Sequence, residues 1–299
     1  MTDDQRGRRR SAKPTVSEAP FTHVFAVLVH ERADCVFDLL RNLRFFDPDS
    51  PIVVYDGSGG GALLLDPDAL AQLGAVAHPA PKRVEWSRLH VFGFDCLEYA
   101  LDRFEFDAMT VVDSDQLLVR HGYTIAVREA LRKKPRAGLL ATPHPTNLPQ
   151  NTIARPPDLE QWEPMRDLFD HRGKQQLPIW IFWPGTVLTG AASTAIRGLR
   201  DDPTLARVLE NSRAATEEVV FSTLAALLGF EVAPKPWDDR FLRWRPALES
   251  REVVEALADP GCYWLHPVRR DRDDPARAYL RRASSDYHGF TPWSPGRRA

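Results

Sequence analysis

The grouping Asp113-Ser114-Asp115 places two carboxylates one residue apart behind a continuously apolar run, Ala108 to Val112. On a tight turn such a pair presents oxygens to a hard divalent cation, and Mg²⁺ and Mn²⁺ share oxygens of this kind with substrate phosphates. Aspartates also collect in turns through local backbone bonding alone, so the buried run that feeds the turn gives the pair its weight. A second acidic pair, Glu217-Glu218, opens an apolar segment behind Thr216. Carboxylates at a helix start are favoured by the helix dipole, and one so placed can also take the proton of an attacking hydroxyl. Gly57 to Gly61, interrupted by Ser58, offers bare backbone N–H groups. It lacks the Walker lysine and the dinucleotide spacing, and reads as a surface loop. Asp56, just before it, is placed either to accept hydrogen bonds from a ribose or base or to cap the turn.

These residues must be positioned by regular elements, and the chain alternates in the required way. His23 to Val29 is a short, Val-rich apolar run, as expected for a strand buried on both faces. Val36, Leu39, Leu40, Leu43 and Phe46 follow at helical spacing, and Ile52 to Tyr55 is a second apolar strand behind Pro51. A weaker strand is expected near Ala75 to Ala77, an amphipathic helix over Leu89 to Phe104, and the clearest buried strand at Ala108 to Val112. This order is the grammar of an open, mostly parallel α/β sheet flanked by helices. Ligands of such sheets bind beyond the carboxyl ends of the strands, where His30, Asp56 and Asp113 all fall. Later, Pro143 to Pro157 reads as a long loop, Ile179 to Phe182 and Val187 to Leu188 as apolar segments, and Ala191 to Leu199, Leu205 to Asn211 and Glu217 to Leu228 as helices.

The 299 residues suffice for one large domain, expected over 21–283 between a leader (1–20) and a C-terminal tail (284–299) whose Tyr287, Phe290 and Trp293 are placed to dock on the body. A formal net charge of −2 provides no field for a nucleic-acid backbone, so no nucleic-acid partner is expected. Basic residues cluster locally instead, at Arg6 to Lys13, Arg269 to Arg272, Arg281-Arg282 and Arg297-Arg298. Three cysteines far apart argue against a disulfide framework. With no apolar h-region and no run long enough to span a bilayer, the expectation is a cytoplasmic protein.

Val84-Glu85-Trp86-Ser87, the helix after it, and Phe106 to Leu118 resemble the core-2/I-branching β-1,6-N-acetylglucosaminyltransferase and xylosyltransferase family of GT-A type glycosyltransferases. That family shows a tryptophan, a Leu- and Ala-rich helix and a strand ending in a Gly-Gln-Asp-Leu-Pro-Leu type turn, whose aspartate Asp115 matches. Phe25 to Leu43, with His30 closing the strand, is similar to its first strand and helix, and Val53 to Asp56 to its His-Val-Asp turn. Thr216 to Thr223 resembles its Asp-Glu segment, which puts Glu218 on the catalytic base. His266-Pro267-Val268-Arg269-Arg270 resembles the basic segment that holds the donor diphosphate.

The resemblance spans roughly residues 23 to 282 and implies a GT-A-like fold and inverting transfer of a hexose or N-acetylhexosamine from a nucleoside diphosphate donor, with UDP the first expectation, to a hydroxyl acceptor. His30, Asp56, Trp86, Asp115, Arg269 and Arg270 would bind the donor, Glu218 or its neighbour Glu217 would act as base, and Asp113 with Asp115 would hold Mn²⁺ or Mg²⁺. The family usually has Gly at the position of Asp113, and members without the acidic pair neutralise the diphosphate with basic side chains. This chain carries both devices, so a metal-independent mechanism stays open beside a metal-dependent one. Eukaryotic members are membrane-anchored, whereas the Arg- and Ala-rich composition here suits a bacterial relative. Two alternatives stand beside this reading. One is a retaining glycosyltransferase, some of which end a diphosphate-binding segment in a sequence that Lys235-Pro236-Trp237 resembles, although Ala226 stands where they place a histidine; the other is a nucleotide-sugar-binding protein without turnover. A two-metal phosphoesterase would need more clustered histidines than the nine scattered ones here.

Overall fold

In a computed structural model the chain is described over residues 20–30, 32–59, 63, 65–143, 178–211 and 215–289. The first half runs β1 (His23–Val29), α1 (Ala33–Phe46), β2 (Ile52–Asp56), α2 (Pro67–Gln72), β3 (Ala75–Ala77), α3 (His90–Arg103), β4 (Ala108–Asp113), β5 (Leu117–Leu118), α4 (Tyr123–Lys133) and β6 (Ala137–Pro143). The second half runs β7 (Ile181–Thr189), α5 (Gly190–Arg197), α6 (Pro203–Asn211), α7 (Glu217–Leu227), β8 (Glu231–Pro234), α8 (Ser250–Ala258), β9 (Trp264–Leu265) and α9 (Pro275–Ala283).

Seven strands form one open sheet in the order β3-β2-β1-β4-β7-β6-β8, parallel except for β7, which runs antiparallel to both β4 and β6. The architecture is the expected mixed α/β one. β1 shows why its sequence is apolar without alternation. Phe25, Val27 and Val29 enter one core with α1, α4, α8 and α9, while Val24, Ala26 and Leu28 enter the other with α3, α5, α6 and α7. In register, Val29 pairs with Asp56 and Leu28 with Asp113. The ends of β2, β1 and β4 therefore lie level, at the side of the sheet where a ligand is expected.

Several expectations are corrected in detail. Ile179 to Phe182 and Val187 to Leu188 are not separate segments; from Ile181 on they belong to the single strand β7, carried through Trp183-Pro184-Gly185 with Gly185 at φ 70° and a register shift opposite Leu140 and Thr142. Pro143 closes β6 instead of opening a loop, and residues 144–157 of that expected loop lie outside the described residues, as do Gly60, Gly61 and residues 1–19 of the leader. Beyond α9 the chain stays on the body: Tyr287 is buried and accepts a hydrogen bond from Asn42 Nδ2 at 3.1 Å. Phe290 and Trp293 lie outside the described residues.

Candidate active site

A cleft of about 820 Å³ opens at the carboxyl ends of β1 and β4. His30, Trp86, Asp113, Asp115, Glu217, Glu218, Arg269 and Arg270 all line it, although they come from five separate stretches of chain. Asp56 does not. It closes β2, where its carboxylate accepts from the Ser58 N–H at 3.0 Å and the Ser58 hydroxyl at 2.5 Å, the turn-capping role open to it from the sequence.

The Asp113–Asp115 turn is fixed from both directions. Gln116 N–H donates to the Asp113 carbonyl at 3.0 Å, and the Asp113 N–H donates to Gln116 Oε1 at 3.2 Å. Directly after it, β5 pairs antiparallel with β9, Leu117 against Leu265, and Val268 N–H donates to the Asp115 carbonyl at 2.8 Å. This two-strand ladder carries His266 and the arginines behind it to the turn. His266 Nε2 stands 3.3 Å from Asp115 Oδ1 and 3.8 Å from Asp113 Oδ2, while its Nδ1 meets the Arg243 carbonyl at 2.8 Å. Arg270 reaches Asp115 Oδ2 with Nη2 at 3.1 Å and the Ser114 hydroxyl with Nε at 2.8 Å. Arg269 is more exposed, with Asp274 Oδ2 3.7 Å away.

The two aspartates are therefore unequal. Burial raises both, but at Asp115 the charges of His266 and Arg270 and the His266 hydrogen bond outweigh it and hold the carboxyl at about 2. At Asp113 burial prevails, and with the Asp115 charge beside it the carboxyl rises to about 6 against the pull of His266. For His266 burial works against protonation, yet the Asp115 charge and hydrogen bond prevail and raise it.

These three side chains also fit a divalent cation. One ligand atom from each of Asp113, Asp115 and His266 lies within 4.8 Å of the others. Asp113 Oδ1 is buried with no hydrogen-bond partner, and two carboxylates with one imidazole suit Mn²⁺ better than Mg²⁺. The sequence reading missed His266 as a ligand because two-residue strands leave no periodic signal.

The acidic pair of α7 faces the same space. α7 is buried along its whole length, and its start is tied to the segment before α3: Thr216 N–H donates to the Ser87 carbonyl at 3.0 Å, and Glu217 Oε2 accepts from the Leu89 N–H at 3.0 Å. Burial, with the Glu218 charge adding, lifts Glu217 to about 8. Glu218 instead accepts from the Trp180 indole N–H at 2.9 Å. Trp244 lines the far rim and meets Trp86 with ring centroids 5.7 Å apart. Lys235 is buried against the Pro184 carbonyl and Asp239, and Trp237 packs edge-on to Tyr123; neither lines the cleft.

No family model matches the chain. None of the curated proteins matches it either. Among solved structures it is similar to a mannosyltransferase from Pyrobaculum calidifontis in complex with GDP-Man and Mn²⁺, at 15% identity over 74% of this chain and 56% of that one, with a TM-score of 0.40. It is also similar to the apo form of the glycosyltransferase GlyE from Streptococcus pneumoniae, at 12% identity over 89% of this chain and 60% of that one, with a TM-score of 0.44. The chain thus spans less than two thirds of the length of either. Among the described residues, no helix is long and apolar enough to cross a membrane.

Proposed function

We propose that this protein is a GT-A-like inverting glycosyltransferase that moves a sugar from a nucleoside diphosphate, UDP first among the candidates, to a hydroxyl acceptor. The observation that carries the reading is the meeting, in one cleft beyond the strand ends, of a carboxylate pair, an Asp-Asp-His group and two arginines. Glu218 takes the acceptor proton while the freed oxygen forms its bond to the anomeric carbon. The bond from that carbon to the phosphate oxygen breaks on the opposite face, and its electron pair leaves with the diphosphate. Arg269 and Arg270 stabilise that charge electrostatically, and His30 lies at the nucleoside end. Trp180 holds the Glu218 carboxylate in place through its N–H. A divalent cation on Asp113, Asp115 and His266 would add Lewis-acid neutralisation of the phosphates.

Glu218 is favoured over Glu217 as the base, because Glu217 spends its oxygen on the Leu89 amide and its raised pKa leaves it protonated near neutrality. The test combines binding and turnover. UDP at a hundredfold excess over its dissociation constant should stabilise the protein by about 2.7 kcal/mol, with Mn²⁺ increasing the effect. Glu218→Gln should keep that stabilisation and lose about 100-fold or more in donor turnover. No thermal shift with any nucleoside diphosphate would sink the donor site, and unchanged turnover in the variant would remove the base.

A further inference from the structure

The resemblance gives Trp86 to the donor, but its partner on the cleft rim, Trp244, is left without a task. Trp86 is 52% exposed and is one of three large hydrophobic side chains left exposed among the described residues. It stands three residues before Leu89, which binds Glu217. Trp244 comes from the opposite wall, directly after Arg243, whose carbonyl meets His266. Their rings, tilted 58° to each other, therefore reach across the cleft mouth from the carboxylate wall to the Asp-Asp-His wall. An apolar surface in a polar cleft is costly to leave in water unless something covers it.

Charge tells what the cover carries. Arg240, Arg243 and Arg251 in the same region are each paired with a carboxylate: Arg240 with Asp238 and Asp259, Arg243 with Glu252 in two-pronged fashion, and Arg251 with Glu255. Arg245 has no carboxylate partner among the described residues. Its guanidinium lies 5.7 Å from the Trp244 ring centroid and lines the cleft. The diphosphate charge is already met by Arg269 and Arg270, so Arg245 is surplus to the donor. A flat guanidinium over the half-buried Trp244 indole, with the exposed Trp86 ring next to it, matches a ligand with an apolar ring face and a planar anion beside it.

We propose that Trp86, Trp244 and Arg245 form the acceptor subsite, and that the acceptor is an acidic saccharide whose ring lies on the indoles and whose carboxylate meets Arg245. The assignment rests on the glycosyltransferase reading, and it moves Trp86 from the donor to the acceptor.

The test uses para-nitrophenyl β-glucuronide and para-nitrophenyl β-glucoside, which differ only in carboxylate against hydroxymethyl. Calorimetric titration of the full chain should show the glucuronide binding about tenfold tighter, the scale of one charge-assisted hydrogen bond. Arg245→Gln should equalise the two, and Trp86→Ala or Trp244→Ala should weaken both by about fivefold. The UDP-induced thermal shift, recorded on the same samples, should survive in all three variants. Equal affinity of the wild type for both saccharides, no binding of either at millimolar concentration, or an unchanged preference in Arg245→Gln would overturn the proposal. So would loss of the UDP shift in Trp86→Ala with saccharide binding intact, since the ring would then serve the nucleoside. Absence of a UDP shift in the wild type would strike the donor reading alone and leave the saccharide comparison standing.

Discussion

Glu217 and Glu218 are adjacent in sequence but point about 100° apart on a helix, so one turn of α7 gives two carboxyls different partners. Both are buried, and Glu217 is the one bonded to the Leu89 amide. With a folded-state pKa of about 8 against an ordinary value of 4.5, it binds a proton in the folded protein that the unfolded chain has released. Its contribution to stability is complete below about pH 4.5 and is lost as pH rises through about 8. Glu217→Gln carries no charge at any pH and keeps an oxygen for the Leu89 amide. Relative to that variant the wild type should lose up to roughly 4 kcal/mol between pH 5 and pH 8. Denaturant unfolding at the two pH values measures it, and parallel curves would mean that Glu217 is ionised in the folded state. Both glutamates and both aspartates were legible from position alone, behind an apolar strand or ahead of an apolar helix. His266, Trp244 and Trp180 were not, because the first two meet the cleft, and Trp180 meets Glu218 on its wall, through contacts between segments dozens of residues apart.

At the scale of elements, legibility followed length and burial. β1, β2 and β4 are buried on both faces and announce themselves as unbroken apolar runs, and α1 and α3 repeat at helical spacing over fourteen residues each. Pro184-Gly185 looks like a break in the sequence, and β7 tolerates it through the shifted register beside β6. α4, β8, α8 and α9 give weaker signals, since their buried faces rest on a few residues, such as Tyr123, Val127 and Ala130 in α4. Where elements touch, packing is tight enough to test. A Cβ on Gly93 of α3 would collide with the Phe221 ring and stand 3.4 Å from Trp183 Cη2, and Phe221 is stacked on Trp183 with centroids 5.0 Å apart. Trp183 lines the cleft, so this contact supports the site from behind. Gly93→Ala should destabilise the protein by about 1–2 kcal/mol, the overpacking cost less what alanine adds to a helix. Adding Phe221→Leu should recover part of the loss, since it removes the ring the new methyl strikes. A melting temperature equal to or above that of the wild type would mean that α3 and α7 stand further apart than described.

Seen whole, the molecule is a sheet between two cores, and each core holds a buried histidine kept neutral. His23, on the face of α1 and α4, shares its ring nitrogens with Thr110 at 2.7 Å, Thr124 at 3.0 Å and Ser50 at 3.2 Å. His90, at the start of α3 on the other face, pairs through Nδ1 with the Thr216 hydroxyl, which also donates to the Ser87 carbonyl at 3.2 Å. Burial lowers each to about 4 from an ordinary 6.5, against the opposing pull of Asp47 at His23 and with Arg88 and Arg200 assisting at His90. Between those values the unfolded chain binds two protons that the folded one refuses, so stability falls as pH drops from 6.5 to 4. Each histidine accounts for up to about 3 kcal/mol of that loss. Glu217 and Asp113, with raised values, work in the opposite sense across part of the same range, so the wild-type curve alone is shallower than the histidines imply. Comparison with single variants isolates them. His23→Gln and His90→Gln lower stability at pH 7 by whatever packing they disturb, but each should narrow its gap to the wild type steadily on acidification to pH 4. A gap that stays constant for one variant would show that its histidine already carries a proton in the folded protein. It would also place a buried positive charge in that core, either under β1 or beside the start of α7 where Glu218 is held.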